Sequence, residues 1–211
     1  LPTWCHATRH RPDAQYSLFL NTGMNRLGIR TDQAIAELPK FIHSVPSSQH
    51  PHCILSHLAS GEAEHSSLTR LQIQSFKKAQ TALRALVPMA HWSLQNSGGL
   101  WHHSVYKKAG LELTIGRPGL SLYGYACRPE LQKRSRLIPV MDLEVPVAAI
   151  HELKRGAQVG YGGRYRVTKA TESIAILQAG YADGIHRSLY KKGLVARGTK
   201  QLPFRGVVSM D

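Results

Sequence analysis

The sequence predicts a parallel α/β domain followed by a smaller, mostly β domain. Three observations carry this. Short apolar runs that stop at polar turns alternate with helix-like segments over the first part of the chain, which is the grammar of a parallel sheet. Residues 67–86 repeat apolar side chains three to five apart and predict a long amphipathic helix. After Arg136 the long helical periods disappear, and short β-branched segments split by Gly turns replace them.

The elements follow in order. "YSLFL", Tyr16 to Leu20, is a buried-strand run ending at Asn21-Thr22-Gly23. "TDQAIAELPKFIHSV" has helical spacing, and Pro39 predicts a break in it. "HCILSHLAS", His52 to Ser60, is a second apolar run. In the long helix Leu68, Leu71, Phe76, Ala79, Leu83 and Leu86 form the expected apolar face. "MAHWSLQNSGG" and "LELTIGRPG" are extended segments that each end in a polar, Gly-containing turn. "RPELQKRSR", residues 128–136, is polar and contains Pro129, and reads as a linker. "AQVGYGGRYRV", "ESIAILQAGYADG" and "GLVARGTKQLPFRGVVSM" supply the β segments beyond it. The division expected is therefore 1–127, a linker at 128–136, and 137–211.

Composition narrows the function classes. Hydrophobic residues make up 42% and charged residues 19%, ordinary for a chain with a buried core. No apolar run approaches the ~18–20 residues that cross a membrane. The opening "LPTWCHATRHRPDAQYSLFL" lacks the pattern of a signal peptide. Lys plus Arg number 27 against 13 Asp plus Glu, a net charge of +14, which raises the question of nucleic acid. The basic pairs are scattered, however (Lys77-Lys78, Lys107-Lys108, Lys133-Arg134, Lys191-Lys192), with no recognition motif, so a solvated basic surface is the simpler reading. Cys5, Cys53 and Cys127 are widely spaced, which suits free thiols in a reducing cytoplasm. His102 and His103 are adjacent, but no metal-ligand spacing occurs, so no metal site is expected.

In a parallel α/β fold ligands gather at the carboxyl ends of the strands. The strand ends here are 21–26, His57, 96–99 and 117–120. Arg26 follows a tight turn and can fork onto a carboxylate, or form a surface ion pair. His57 ends an apolar run, as a catalytic group or a satisfied core histidine. Ser97 in "QNSGG" fits a phosphate cradle or a helix cap. Arg117, held by Pro118 and Gly119, can donate to a ring nitrogen without releasing its own proton, or make a structural ion pair. Tyr181 in "GYADG" is a turn residue or a base. As a base near neutral pH it needs a hydrogen-bond partner or a nearby cation. Asp183 and Gly184 shape the turn.

"NTGMNRLGI", "SHLAS", "NSGG", "RPGLSLYGY", "GYGGRY", "GYADGIHR" and "GVVSMD" occur in this order over residues 16–211. Together they closely resemble the alanine racemases, pyridoxal-phosphate enzymes that interconvert L- and D-alanine and supply D-alanine for peptidoglycan. The resemblance implies the second half of an (α/β)8 barrel that binds pyridoxal 5'-phosphate, followed by part of a mostly β C-terminal domain. It implies that Arg117 hydrogen-bonds the cofactor's pyridine nitrogen and keeps it unprotonated. Ser97 and the backbone of Gly119 and Leu120 would hold the phosphate. His57 would bridge Arg117 and Tyr181. Tyr181 would be the base on the L-alanine face, acting across a homodimer interface. Arg26 and the main chain at Met210 would hold the substrate carboxylate. The reaction implied is two-base racemisation, with a lysine as Schiff-base anchor and second base.

The family's lysine motif is not found in this sequence. The chain is therefore expected to be an internal fragment, inactive and unstable by itself. Phe19 and Asn21 stand where the family often has a lysine and an aspartate, and Val207 replaces an arginine. Departures around Phe19 leave a broad-specificity amino-acid racemase as an alternative. A non-catalytic remnant that binds a partner is another.

Overall fold

The computed structural model describes residues 15–63 and 65–211. The chain divides into two compact units, with the boundary between Met141 and Asp142.

The first unit is built on a parallel sheet. Its strands are β1 (Ser17–Asn21), β2 (Ile29–Arg30), β3 (Cys53–Leu55) and β4 (His91–Ser93), in the order β2-β1-β3-β4, all parallel. Helix α1 (Thr31–Ser44) follows β2, and α2 (Ser67–Leu83) connects β3 to β4. Leu18 pairs with Ile54 and Ile54 with Trp92 across the sheet, so neighbouring apolar side chains come into line. Ala34, Leu38 and Ile42 of α1 and Ile73, Phe76, Ala79 and Leu83 of α2 cover them. Phe76 meets Trp92 edge-on, with ring centroids 5.7 Å apart. Each fully buried side chain of this size contributes about 1.5–3 kcal/mol.

Three sequence expectations are corrected here. Helix α1 runs unbroken through Pro39. A proline inside a helix costs about 3 kcal/mol. The buried positions Thr31, Ala34, Leu38 and Ile42 lie on both sides of Pro39 at helical spacing, and their packing on the sheet offsets that cost. In α2, Leu71 is 60% exposed. The buried stripe is Thr69, Gln72, Ile73, Phe76, Ala79, Gln80 and Leu83, so two glutamines stand where a purely apolar face was expected. Finally, residues 111–118 run extended but form no regular strand. Backbone bonds from Thr114 to the Trp92 carbonyl (2.9 Å) and from Arg117 to the Gln95 carbonyl (2.9 Å) tie it to β4 and the residues after it, and side chains supply the rest. Gln80 donates to the Glu112 carbonyl (2.8 Å) and accepts its N–H (3.1 Å). Ser93 Oγ donates to the Ile115 carbonyl (2.7 Å).

Short helices α3 (Ser97–Leu100) and α4 (His103–Lys108) follow β4, and α5 (Pro129–Arg134) lies within the stretch read as a linker, with Pro129 in its first turn.

The second unit holds three antiparallel pairs. These are β5 (Val147–Lys154) with β8 (Thr171–Leu177), β6 (Gln158–Val159) with β7 (Tyr165–Arg166), and β9 (Leu194–Arg197) with β10 (Lys200–Pro203). Its buried apolar side chains are Val167, Ile174 and Val208. Polar ties add to these. Glu172 accepts from Tyr165 Oη and, at 3.2 Å, from Arg205 Nε, whose guanidinium lies 4.5 Å from the Tyr165 ring centre.

Among the described residues no helix is long and apolar enough to cross a membrane, and no group of His, Cys, Asp or Glu is placed to hold a metal ion.

Candidate active site

The polar residues of the first unit converge at the carboxyl ends of its strands. At the end of β1, Asn21 Oδ1 accepts the N–H groups of Gly23 (3.1 Å) and Asn25 (3.0 Å), closing a tight turn. Asn25 sits at φ 57°, a left-handed value that asparagine tolerates. The turn delivers Arg26, which is exposed. It makes no hydrogen bond or ion pair with another described residue.

At the ends of β3 and β4 a buried network takes over. Thr22 Oγ1 and Ser56 Oγ lie 2.7 Å apart. The fork of Arg117 donates to Ser93 Oγ with one arm and to the Ser56 carbonyl with the other. Both contacts fix the plane of the guanidinium between β3 and β4. Burial lowers the Arg117 pKa from its ordinary value, yet an arginine remains a cation. Burial raises the thiol pKa of Cys53 beneath it, with the Arg117 charge opposing.

His57 sits at the rim of this network, its Nε2 3.4 Å from Asn96 Nδ2. Burial, then the charges of Arg26 and Arg117, push its pKa below the ordinary 6.5. The ring is therefore neutral at pH 7, with a nitrogen able to accept. Arg26 and Arg117 both lie within electrostatic reach of His57.

Asn96, not Ser97, caps α3: its Oδ1 accepts the Gly99 N–H at 3.0 Å. The Ser97 hydroxyl is thereby released for a different task. It is 5% exposed, and it accepts the N–H groups of Gly119 (2.8 Å) and Ser121 (3.2 Å). A Cβ at Gly119 would meet nothing within 4 Å, so the backbone there faces open space. Leu120 begins a 3-10 turn, Leu120–Tyr123, immediately after it. Ser97 Oγ accepts two N–H groups and keeps its own hydrogen to donate, and with the open backbone at Gly119 and Leu120 this suits an anionic group.

The second unit brings together Tyr181 and Met210. The Tyr181 N–H donates to the Ser209 carbonyl (2.9 Å) and the Ala182 N–H to the Met210 carbonyl (3.0 Å). Asp183 Oδ2 accepts the Gly180 N–H at 2.9 Å and closes the turn. A Cβ at Gly180 would strike the backbone of Met210 and Ser209, which accounts for the glycine before the tyrosine. The Tyr181 side chain is 44% exposed, and the Arg187 guanidinium lies 5.7 Å from its ring centre. Asp183 and Gly184 shape the turn, as expected.

With Thr22 and Asn96 of the expected strand ends, Ser56, Gln72 and Ser93 complete the network, and these last three were not singled out in the sequence. Their signal was present: each is an uncharged polar residue at or inside an apolar run, as in "CILSH" and "HWSLQN".

A parallel α/β sheet with polar groups and a fixed guanidinium at the carboxyl ends of its strands is the arrangement of a barrel-type domain. Residues 3–127 match the family model "Alanine racemase, N-terminal domain" and residues 140–211 match "Alanine racemase, C-terminal domain". The chain belongs to the alanine racemase family. It is 33% identical over 208 residues to the alanine racemase of Nitratidesulfovibrio vulgaris (strain DP4), which covers 97% of this chain and 53% of that protein. Among solved structures it is similar to the biosynthetic alanine racemase of Pseudomonas aeruginosa, at TM-score 0.72 and 26% identity, over 100% of this chain and 56% of that one. It is also similar to the alanine racemase of Bartonella henselae with covalently bound pyridoxal phosphate, at TM-score 0.66 and 27% identity, over 100% and 55% of the two chains. The chain spans about half the length of the relatives it matches.

Proposed function

We propose that the intact protein racemises a small amino acid, alanine first, with pyridoxal 5'-phosphate held at the strand ends. The observation that carries this is the fixed guanidinium of Arg117 beside the Ser97–Gly119 cradle. These groups fit the cofactor. A cradle of hydroxyl and backbone donors matches a phosphate, and an immobile cation matches the acceptor nitrogen of a pyridine ring.

When bound, the cofactor supplies a sink for the charge left at the substrate's Cα. The chain's own groups do the rest. Ser97 with the backbone of Gly119 and Leu120 holds the phosphate, the Ser97 hydroxyl hydrogen and the Leu120 N–H donating to it, and Arg117 faces the ring nitrogen. As a permanent cation that hydrogen-bonds without giving up its proton, it limits how far charge is drawn into the ring. Arg26 and the main chain at Met210 hold the substrate carboxylate. Tyr181 moves the proton at Cα on the L face, and does so at the partner's site in a homodimer. His57, kept neutral by burial and two arginines, orients the groups on either side of it. The lysine of the family's motif is the second base, so each face of the substrate has its own proton carrier and inversion needs no rotation. On the same reading 1–127 is barrel, 128–136 the connection and 137–211 the β domain of a cytoplasmic enzyme.

The test is turnover by the intact protein supplied with the cofactor. L-alanine, L-serine and L-lysine are offered separately, and the enantiomers are resolved chromatographically. Conversion of alanine, and loss of cofactor binding by about tenfold or more in Ser97→Ala, is the expected result, since a phosphate hydrogen bond of the charge-assisted kind is removed. Unchanged cofactor binding in Ser97→Ala contradicts the assignment of the cradle.

A further inference from the structure

We propose that Gln72 is a positioning residue of this site, tying α2 to the strand ends that carry Arg26, His57 and Arg117. The inference rests on the function proposed above.

Gln72 is fully buried, at 0% exposure, on a helix face it shares with Thr69, Ile73, Phe76, Ala79, Gln80 and Leu83. A buried amide is costly unless its hydrogen bonds are made. Gln72 makes three. Its Oε1 accepts the Ala59 N–H at 2.9 Å, and its Nε2 donates to the His57 carbonyl at 2.8 Å and to Thr22 Oγ1 at 3.3 Å. The first two grip the backbone on both sides of Leu58, and so fix the peptide that presents the His57 ring. The third orders a proton chain. Because Thr22 Oγ1 accepts from Gln72, its own hydrogen is free to go to Ser56 Oγ, 2.7 Å away. Ser56 in turn offers its carbonyl to Arg117. One side chain thereby fixes the turn after β1, the backbone of His57 and one of the two anchors of the guanidinium.

The same helix carries its own control. Gln80, two turns further on and 3% exposed, makes two backbone hydrogen bonds to Glu112. It is nearly as buried and its two bonds both go to Glu112, five residues before Arg117, with none to Thr22, Ser56, His57 or Ala59. If buried glutamines of α2 served only stability, the two would be interchangeable in their effects.

The experiment compares Gln72→Met, Gln80→Met and Thr22→Val in the intact protein. Methionine keeps the shape of glutamine and loses its hydrogen bonds. Thr22→Val breaks the link to Ser56 from the other side and keeps the test alive if Gln72→Met does not fold. Three readings are taken: the thermal midpoint, the 15N shifts of the His57 ring in cofactor-free protein, and the visible circular dichroism and affinity of bound pyridoxal 5'-phosphate. The expected result is that Gln72→Met moves the His57 ring signals and weakens the cofactor about tenfold, one buried hydrogen bond's worth. Thr22→Val weakens the cofactor in the same direction. Gln80→Met lowers the midpoint and leaves His57 and the cofactor spectrum as in the unaltered protein. Unchanged His57 signals in a folded Gln72→Met protein, or in Thr22→Val an unchanged cofactor affinity, overturn the proposal. So does an equal response to Gln80→Met. If the unaltered protein binds no cofactor, the functional reading fails, and the His57 signals alone still decide the role of Gln72.

Discussion

The two units hold their functional residues by different means. In the first, Arg117, His57 and Ser97 are fixed by side-chain hydrogen bonds that rest on a packed core of strands and helices. In the second, Tyr181 is placed by backbone hydrogen bonds and a glycine contact, with Val167, Ile174 and Val208 as the buried apolar side chains. A buried polar network needs a dry, rigid support, because each unpaired group in it is expensive. A single aromatic side chain on a backbone turn needs only that the turn cannot open. The contrast teaches where each unit is fragile: core volume in the first, backbone approach in the second.

Phe76→Ala attacks the first of these and is expected to have the largest effect. Phe76 is fully buried against Trp92, and its truncation is expected to cost about 3–5 kcal/mol in urea unfolding of the intact protein. Ile174→Ala, at the 7%-exposed centre of β8, is expected to cost no more than about 2 kcal/mol, at the low end for such truncations. Equal losses at the two positions would erase the distinction.

Gly180→Ala attacks the second. The added methyl meets the Ser209–Met210 backbone, and overpacking of this kind costs about 1–3 kcal/mol. Gly184, at φ 90° with nothing near a Cβ, isolates the conformational cost alone. Gly184→Ala is expected to lose about 1 kcal/mol and to leave protected from hydrogen exchange the Tyr181 and Ala182 amides, which donate to the Ser209 and Met210 carbonyls. Gly180→Ala is expected to deprotect the Tyr181 and Ala182 amides that these carbonyls accept.

The smallest effect is electrostatic. The His57 pKa lies below 6.5 in the folded protein, chiefly through burial and then through Arg26 and Arg117. The unfolded chain therefore binds this proton more readily than the native one. The stability contributed by neutral His57 is fully present above the unfolded value and is lost as pH falls through the folded one. Arg26→Ala is expected to raise the titration midpoint of the His57 ring followed by NMR. An unchanged midpoint would remove Arg26 from the site.

Much of this was legible in the sequence. The strand ends at Asn21, His57, Asn96 and Arg117 could be read because apolar runs stop there at polar turns. The family could be read because its motifs keep their order. What escaped was decided by tertiary packing. Pro39 stays helical because the residues around it are buried on the sheet. Leu71, expected on the buried face, turns to solvent and Gln72 is buried, because the stripe of α2 is set by the strand-end backbone it must satisfy as well as by its apolar residues. Asn96 displaces Ser97 as the cap, a choice between neighbours that spacing cannot resolve. The extended 111–118 segment forms no regular ladder: its backbone reaches the Trp92 and Gln95 carbonyls, but Gln80 and Ser93 side chains take other bonds that a strand's backbone would have made.

The central claim is that Tyr181, held on its backbone turn, moves the α-proton on the L face at a site prepared by Arg117. Exchange of α-deuterium into solvent water tests it most directly, measured separately from L- and D-alanine with the intact protein and its Tyr181→Phe variant. The account predicts that exchange from L-alanine falls by at least about 100-fold, as for removal of a general base, while exchange from D-alanine persists. Exchange from L-alanine at the unaltered rate in Tyr181→Phe would contradict it.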